Sequence, residues 1–301
     1  VDKPVPKDNE VLIRVYATTV NRTDCGFRSA EYFVSRFFSG LIKPKNKTLG
    51  NEFAGIIEGV GKAVKLFHTG DKVFGYNDIK FGAHAEYLTM AENDAITTMP
   101  ENMTYEMAAP ITEGAHYALC IIRAAKIKTG QDVLVYGATG AIGSAAVQLL
   151  KYFGTNVTAV CNTLNMNLIK SLGAVQVIDY TKTDFTKTGQ TFDFIFDAVG
   201  KSSYGQCKPL LTKKGIYVST ELGKNFENIY LALLTPIFRG KKLIFPIPTI
   251  SKADVVFLKE LVEQGMFKPI IDRQYKLEQI IEAYHYVESG QKTGNVIITL
   301  S

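Results

Sequence analysis

The stretch from residue 133 to residue 154, VLVYGATGAIGSAAVQLLKYFG, constrains the fold more than any other part of the sequence. Its first four residues are apolar and rich in β-branched side chains, which predicts a buried strand. Glycines follow at three-residue spacing, and the apolar residues after them recur at helical period, which predicts a helix ended by Gly154. Strand, glycine-rich turn and helix, in that order, are typical of a dinucleotide-binding site.

The chemistry of such a turn identifies the residues expected to bind the cofactor. Glycines let the backbone approach a pyrophosphate, which then lies against free N–H groups at the positive end of the helix. The alternative is a tight strand-to-helix turn without a ligand. The predicted cofactor-binding residues here are Gly137, Ala138, Thr139, Gly140, Ala141, Ile142 and Gly143.

The remaining pattern predicts an α/β protein with two domains. Residues 1–105 are rich in short strands with glycine turns, typical of a barrel-like or sandwich unit, and one of these strands is expected over residues 82–88. Strands and helices alternate from residue 133 to a last strand expected over residues 242–247, which predicts a parallel sheet with right-handed crossovers. The tail from residue 249 to residue 301 ends in a strand that we expect to return to the β-rich unit. The predicted domains are therefore 106–248 for the nucleotide, and 1–105 with 249–301 for the β-rich part.

Composition excludes several classes of protein. The net charge of +5 comes from scattered lysines and not from a basic stripe, which disfavours nucleic-acid binding. The four cysteines are far apart and form no CxxC motif, which disfavours a disulfide framework or a cysteine-rich zinc lobe and fits a reducing compartment such as the cytoplasm. No window approaches about 18 consecutive apolar residues, so we expect no membrane span. No signal peptide opens the sequence, and its start at Val1 without a methionine is compatible with residues missing upstream.

The segment after the glycine turn favours NADPH over NADH. An NAD site normally has an acidic residue about 20 positions past the glycines to bind the ribose 2′-hydroxyl. Here no acid occurs between Asp132 and Asp179, although the Arg or Lys expected for a 2′-phosphate is also missing. The candidate partners for that phosphate are Asn162, Thr163 and Tyr180. For Asn162 the alternative is an ordinary helix cap.

Several stretches together carry a family resemblance. The chain resembles the medium-chain dehydrogenase/reductase superfamily, and within it the zinc-free quinone oxidoreductase branch. The resemblance implies a GroES-like catalytic domain, a Rossmann domain with a doubly wound parallel sheet, an active site in the cleft between them, and a homodimer. The matching stretches are residues 21–24 (NRTD), 50–55 (GNEFAG), 70–75 (GDKVFG), 137–144, 172–174, 177–180, 193–200 and 290–300.

Two positions argue against a catalytic zinc ion. Zinc-dependent members of the superfamily carry Cys where this chain has Asn21 and His where it has Asn51. A catalytic zinc takes about three protein ligands drawn from Cys, His and carboxylate, and a carboxamide replaces neither a thiolate nor an imidazole. We therefore predict no metal ligands. Cys25, His68 and His84 lie nearby in the sequence and are expected to be packing or surface residues.

The expected chemistry is hydride transfer from NADPH without a metal ion. A quinone or an α,β-unsaturated carbonyl accepts hydride without a Lewis acid because conjugation spreads the charge. Around this reaction the resemblance implies a set of site residues. The predicted catalytic residues are Asn21, Asp24, Tyr32, Asn51 and His116, and the further predicted cofactor contacts are Val199, Gly200, Leu222 and Asn295.

The roles expected for these residues differ. Asn21 is expected to donate a hydrogen bond near the nicotinamide and Asp24 to orient its loop. Tyr32 either donates to the acceptor oxygen or stacks on a quinone ring, the alternative being a core or lid aromatic. His116 either supplies a proton or is structural. Glu52, beside Asn51, is as readily explained by a structural pairing as by a functional one. Val199 and Gly200 are expected to offer backbone groups to the ribose and Leu222 to face the carboxamide, while Asn295 replaces a frequent Lys.

Two other classes of function stay open at this point. One is an NADPH-binding sensor or interaction protein without redox turnover, and the other is a zinc-type alcohol dehydrogenase. For the homodimer, the apolar segment 226–247 either supplies an exposed edge strand for pairing across a two-fold axis or ends in a buried last strand.

Overall fold

The computed structural model describes residues 2–29, 48–77 and 80–300. Backbone contacts divide the chain into two units. The first comprises Val1–Glu113 and Ile250–Ser301, and the second comprises Gly114–Thr249. Residues 106–113, assigned to the nucleotide-binding domain from sequence, therefore belong to the β-rich unit. The physical reason is their hydrogen bonding, since the N–H and hydroxyl of Thr112 and the N–H of Glu113 all donate to Glu52 of that unit. Tyr105, just before this segment, stacks on Tyr16 with ring centroids 4.7 Å apart.

The β-rich unit is built on one seven-stranded sheet. Its strands run in the order β12-β13-β1-β2-β3-β5, and β4 pairs with β1. Their bounds are β1 Glu10–Val20, β2 Glu52–Val60, β3 Lys72–Tyr76, β4 Tyr87–Ala91, β5 Ile96–Thr98, β12 Ile271–Lys276 and β13 Asn295–Thr299. The helices of this unit are α1 Arg22–Ser29, α2 Tyr105–Ala108, α8 Lys252–Glu263 and α9 Ile280–Glu288.

The C-terminal strand confirms that a discontinuous chain builds this unit. Strand β13 pairs antiparallel with β1, with Ala17 opposite Thr299 and Val20 opposite Val296. Alternate residues of β1 face a common core, in which Val11 and Ile13 are fully buried. The predicted discontinuous β-rich domain is thereby confirmed.

The second unit contains a six-stranded parallel sheet. The strand order is β11-β10-β9-β6-β7-β8. The strands are β6 Asp132–Tyr136, β7 Asn156–Cys161, β8 Gln176–Asp179, β9 Phe192–Asp197, β10 Leu211–Ser219 and β11 Lys242–Leu243. The helices are α3 Glu113–Ala125, whose first residue belongs to the β-rich unit, α4 Ala141–Tyr152, α5 Met166–Leu172, α6 Tyr204–Cys207 and α7 Glu227–Leu234. Val133, Leu134 and Val135 are fully buried, as expected for a central strand covered on both faces.

Two strands differ from the sequence prediction. The strand expected over residues 82–88 lies instead at β4, because Phe81 and Gly82 both have positive φ, 55° and 105°, and turn the chain before it can extend. The strand expected over residues 242–247 ends at Leu243. Pro246 and Pro248 follow it, and proline cannot donate to a sheet ladder.

The helix termini follow the sequence signals. Ser251 caps α8 in a capping box with Asp254. Gly173 ends α5 in the left-handed conformation, with φ of 116°. Among the residues that the structure describes, no helix has both the length and the apolar character needed to cross a membrane.

Candidate functional site

The glycine turn after β6 is shaped by two contacts that no side chain can enter. Gly137 has φ of +80°, and a Cβ placed on it would lie 2.7 Å from the Cβ of Val199. A Cβ on Gly143 would lie 2.1 Å from the carbonyl oxygen of Gly137. Gly140 differs, because a Cβ there would meet nothing nearer than 3.9 Å. The outer two glycines therefore serve packing, and the middle one leaves space in front of the helix.

The N-terminus of α4 is available to an anion. Gly140 is the N-cap, no side chain caps the helix, and its first turn contains no acidic residue. The first N–H groups of such a helix carry partial positive charge and lack partners within the helix. The N–H of Ala138 is not available to an anion, because it donates to the carbonyl oxygen of Val160 at 3.2 Å. Thr139 and Ile142 are half-buried beside the turn.

The ends of β7 and β8 bring an acidic residue to the predicted phosphate site. Cys161 pairs with Asp179 across the two strands, and the Thr163 hydroxyl donates to the Asp179 carboxylate. Hydrogen bonds from Thr163, and then from Thr181, hold the pKa of Asp179 at about 2. The Lys182 ammonium lies 3.6 Å from the same carboxylate. Sequence reasoning missed this carboxylate because it counted residues along the chain, whereas the neighbouring strand supplies it.

The other two candidates at this strand end differ in exposure and in their contacts. The Oδ1 of Asn162 accepts from the backbone N–H of Asn165 at 3.2 Å and from its side chain at 2.8 Å, which is the capping alternative. The Tyr180 side chain is 52% exposed, so it is open to a ligand.

The residues after β9 are held by a buried carboxylate. Asp197 accepts hydrogen bonds from the backbone N–H groups of Val199 at 3.1 Å and Gly200 at 2.7 Å. It also accepts from the N–H and hydroxyl of Ser202, both at 2.7 Å. The expected ribose contact is therefore restricted to the carbonyl oxygens of Val199 and Gly200, since their N–H groups are already bonded.

The loop after β10 contains the residue expected near the carboxamide. The carbonyl of Leu222 accepts from the Asn228 N–H at 3.1 Å, and the Asn228 side chain donates to Glu221 O at 2.7 Å. Asn225 and Phe226 have positive φ, 52° and 61°. Such conformations are costly for residues other than glycine and often occur at functional sites.

In the β-rich unit, Asn21 and Asp24 bond to each other at the start of α1. The Asn21 N–H donates to the Asp24 carboxyl at 3.0 Å, and the Asp24 N–H donates to the Asn21 Oδ1 at 3.0 Å. The other Asp24 oxygen accepts from the Gly50 N–H at 3.1 Å. Burial raises the pKa of Asp24 to about 7. These bonds support the expected role of Asp24 in orienting its loop.

The residues that follow Gly50 join a second group of polar side chains. The Asn51 amide donates to the Tyr76 hydroxyl at 3.1 Å. Glu52 is fully buried and accepts from the Thr112 N–H and hydroxyl at 3.0 and 2.8 Å, and from the Thr19 hydroxyl at 2.8 Å. Because Glu52 joins the segments that contain Thr19 and Thr112, its contacts favour a structural pairing over a functional role.

Glu113 is a second acidic residue that sequence reasoning missed, after Asp179. It is the first residue of α3 and is 3% exposed. Its Oε1 accepts from the Thr23 hydroxyl at 2.6 Å, and its N–H donates to Glu52. Burial, and then repulsion by Glu113, raises the pKa of Glu52. Burial also raises the pKa of Glu113. A signal was present, since Glu113 is the only charged residue between Glu106 and Arg123.

Two of the remaining predicted residues have the following contacts within their own units. The His116 ring in α3 is 3% exposed and lies against Tyr117, with centroids 4.6 Å apart. The amide of Asn295 donates to Ile270 O at 2.9 Å within the β-rich unit. Tyr32 lies outside the described residues.

The described side chains that could bind a metal ion are not clustered as a metal site requires. Among residues 2–29, 48–77 and 80–300, no three side chains of His, Cys, Asp or Glu are placed to hold a metal ion. His84 bonds to the Thr19 carbonyl at 2.7 Å and to the Tyr284 hydroxyl at 3.3 Å. Cys25 is buried, so both are packing residues.

Comparison with known proteins agrees with the fold. Residues 7–101 match the family described as alcohol dehydrogenase GroES-like domain, and residues 172–298 match that described as zinc-binding dehydrogenase. The chain is similar to a 2-methylene-furan-3-one reductase of Solanum lycopersicum, with 30% identity over 98% of this chain and 73% of the relative. It is also similar to an NADPH-dependent alkenal/one oxidoreductase of Arabidopsis thaliana, a chloroplastic protein, with 29% identity and the same coverage.

A solved structure gives the same family. The quinone oxidoreductase from Coxiella burnetii superposes with a TM-score of 0.88 at 25% identity, covering 100% of this chain and 93% of that one. The motifs, the two family matches in order and the relatives that match 98% of this chain agree with one another. The chain belongs to the medium-chain dehydrogenase/reductase superfamily, in its quinone oxidoreductase branch.

Proposed function

We propose that this protein is an NADPH-dependent oxidoreductase that transfers hydride, without zinc, to a quinone or an α,β-unsaturated carbonyl compound. The observation that carries the proposal is the glycine turn, whose geometry leaves the N-terminus of α4 uncapped and open. Residues 137–143, apart from the N–H of Ala138, would hold the pyrophosphate there. The bound cofactor supplies the hydride, and the chain's own residues orient it and stabilise the acceptor.

The acceptor class follows from the polar residues of the β-rich unit. Asn21 and Asn51 offer amide hydrogen bonds where zinc-dependent relatives have metal ligands. A hydrogen bond stabilises developing charge less than a Lewis acid does, so the acceptor must disperse that charge itself. Conjugated ketones and quinones do so. The names of the relatives, which include alkenal/one and quinone oxidoreductases, agree with this class.

The donor set does not fit a catalytic zinc ion. The Oδ1 of Asn21 accepts a hydrogen bond from the Asp24 N–H, and the amide of Asn51 donates one to the Tyr76 hydroxyl. Neither provides the thiolate or imidazole that zinc prefers. We therefore derive no step that uses a metal, although one matching family is described as zinc-binding.

The preference for NADPH rests on compensation of the Asp179 charge. That carboxylate accepts from the Thr163 and Thr181 hydroxyls and from the Thr181 N–H, and it lies near the Lys182 ammonium. A compensated carboxylate on β8 repels a 2′-phosphate less than an acid at the end of β7 would. Tyr180 is exposed beside it.

The test combines metal analysis with turnover. The purified protein is assayed for zinc, treated with a chelator, and mixed with NADPH or NADH and a panel of quinones and enones. We expect turnover that chelation leaves unchanged and that is faster with NADPH. Loss of activity on chelation would support a zinc-type dehydrogenase, and NADPH binding without any turnover would support a sensor.

Two further expectations stay predictions. The homodimer follows from the family, and the cytoplasmic location follows from cysteine usage. Relatives include proteins named as chloroplastic and mitochondrial.

A further inference from the structure

Unpartnered polar atoms concentrate in one hydrogen-bonded network of the β-rich unit. Among the described residues, five buried side-chain atoms have no hydrogen-bond partner. Three of them are the Nδ2 of Asn21, the Oδ1 of Asn51 and the Oε2 of Glu113. Buried polar groups are normally satisfied, so such a concentration indicates a site for a polar ligand atom.

Hydrogen bonds and chain adjacency join these three residues. Glu113 bonds to Thr23, one position before Asp24, which bonds to Asn21. The Tyr76 hydroxyl accepts from the Asn51 amide, and the same hydroxyl lowers the pKa of Glu113. Asn21, Asn51 and Glu113 are each at least 97% buried.

The environment of Glu113 favours its neutral form. Burial is the largest influence and raises its pKa, and the charge of Asp24 acts in the same direction. Hydrogen bonds from Thr23 and Tyr76, and the charge of Lys292, oppose it. Glu52, whose Oε1 accepts from the Glu113 N–H, is also kept neutral by its burial. A carboxylic acid held neutral in this way can donate a hydrogen bond.

The network therefore presents two unpartnered donors when Glu113 is protonated. Oε1 is already engaged by Thr23, so the acid proton belongs on the unpartnered Oε2. The Nδ2 of Asn21 is the second donor. A carbonyl oxygen has two lone pairs and matches two donors. The Oδ1 of Asn51 is an acceptor for the hydroxyl that forms when that oxygen is protonated.

We propose that Glu113 and Asn21 bind the oxygen of the acceptor and that Glu113 delivers the proton which completes its reduction. This inference rests on the proposed function. Hydride adds to the conjugated carbon and oxidises the reduced nicotinamide, while the electron pair of the double bond moves to the acceptor oxygen. The O–H bond of Glu113 then breaks and an O–H bond forms on the acceptor. The carboxylate regains a proton from water.

The main test is the Glu113→Gln variant. Glutamine is close in shape to the protonated acid and still donates a hydrogen bond, but it cannot deliver a proton. We expect KM for the acceptor to change little, while kcat falls by about 10²-fold or more, the range attributed to general acid catalysis. The wild-type rate should fall as pH rises through the pKa of Glu113, and this basic limb should be absent from the variant.

Substitutions at Thr23 distinguish proton delivery by Glu113 from a purely structural role of Glu113. Its hydroxyl lowers the pKa of Glu113, so Thr23→Val should move the basic limb to higher pH, and Thr23→Ser should return it to the wild-type position. Glu58→Gln is the matched control, since that carboxylate lies outside the network and bonds to Lys3. It should leave rate and profile unchanged.

The outcomes separate this inference from the proposed function. If the wild-type protein reduces no quinone or enone, the proposed function is wrong. If the wild type turns over and Glu113→Gln keeps its kcat and its basic limb, only the inference is wrong. Should Glu113→Gln fail to fold, an unmoved limb in Thr23→Val overturns the inference and a limb shifted to higher pH supports it.

Discussion

Alanine at two glycines of the same turn should give opposite results. A Cβ on Gly143 would lie 2.1 Å from the Gly137 carbonyl oxygen and 2.9 Å from the Ala138 Cα. Both neighbours are backbone atoms, so relief requires a shift of about 1 Å, and overpacking of this kind costs about 1–3 kcal/mol. We take the upper end because no side chain can rotate away. At about 2–4 °C per kcal/mol, Gly143→Ala should lower Tm by about 6–12 °C.

Gly140→Ala should instead spare stability and damage binding. Gly140 has φ of −69°, and a Cβ there meets its nearest neighbour at 3.9 Å. The methyl group would occupy the space in front of α4 where a pyrophosphate would approach the N–H groups. We expect Tm to stay within about 2 °C and the Kd for NADPH to rise at least tenfold, about 1.4 kcal/mol.

Calorimetry and an NADPH titration measure both effects. At a concentration of 100 times Kd, NADPH should stabilise the wild-type protein by about 2.7 kcal/mol, a gain that Gly140→Ala should lose. Wild-type affinity in Gly140→Ala would show that the pyrophosphate does not lie against this turn. Wild-type Tm in Gly143→Ala would refute the packing argument.

Three further predictions concern other parts of the molecule. Burial raises the pKa of Asp24 from 3.8 to about 7, so the folded state keeps a proton that the unfolded state loses, and the free energy of unfolding should fall as pH rises from about 4 to about 7. Thermal unfolding of Asp24→Asn across this range should show a smaller decline in stability than the wild type. An equal decline in both proteins would contradict the assignment. The side chains of Leu233 and Phe238 are 72% and 69% exposed. If this apolar surface forms the dimer interface, the double variant Leu233→Glu with Phe238→Glu should be a monomer in light scattering. A dimer that persists in this variant would show that the interface lies elsewhere. The Lys182 ammonium lies 3.6 Å from the Asp179 carboxylate, whose charge it compensates near the predicted 2′-phosphate site. Lys182→Ala should therefore lower kcat/KM for NADPH about three- to tenfold, with little effect on kcat/KM for NADH. An equal loss with both cofactors would exclude a role of Lys182 at the 2′-phosphate.

The sequence predicted the elements whose signals are local. The glycine turn, the alternation after it and the cap at Ser251 follow from spacing and backbone preference, and the structure contains all three. The return of the last strand to the β-rich unit was also predicted and is confirmed by its pairing with β1.

What the sequence did not predict depends on contacts between distant segments. Asp179 lies beside Cys161 because β7 and β8 are neighbours, which no count along the chain reveals. Asp197 accepts from the N–H groups of Val199 and Gly200, the two residues whose backbone groups are expected to contact the ribose, since the chain folds back over the end of β9. Glu113 enters the site through Thr23, 90 positions earlier.

The central claim is hydride transfer to a conjugated acceptor without a metal ion. One matched comparison tests it directly: oxidation of NADPH by the chelated protein with 2-cyclohexen-1-one and with cyclohexanone, followed by the absorbance of the reduced nicotinamide. Both compounds have the same ring and carbonyl group, and only the enone can spread the added charge through conjugation. We predict turnover with the enone and none with the saturated ketone. Equal rates with both ketones, or activity that appears only when zinc is added, would contradict the account.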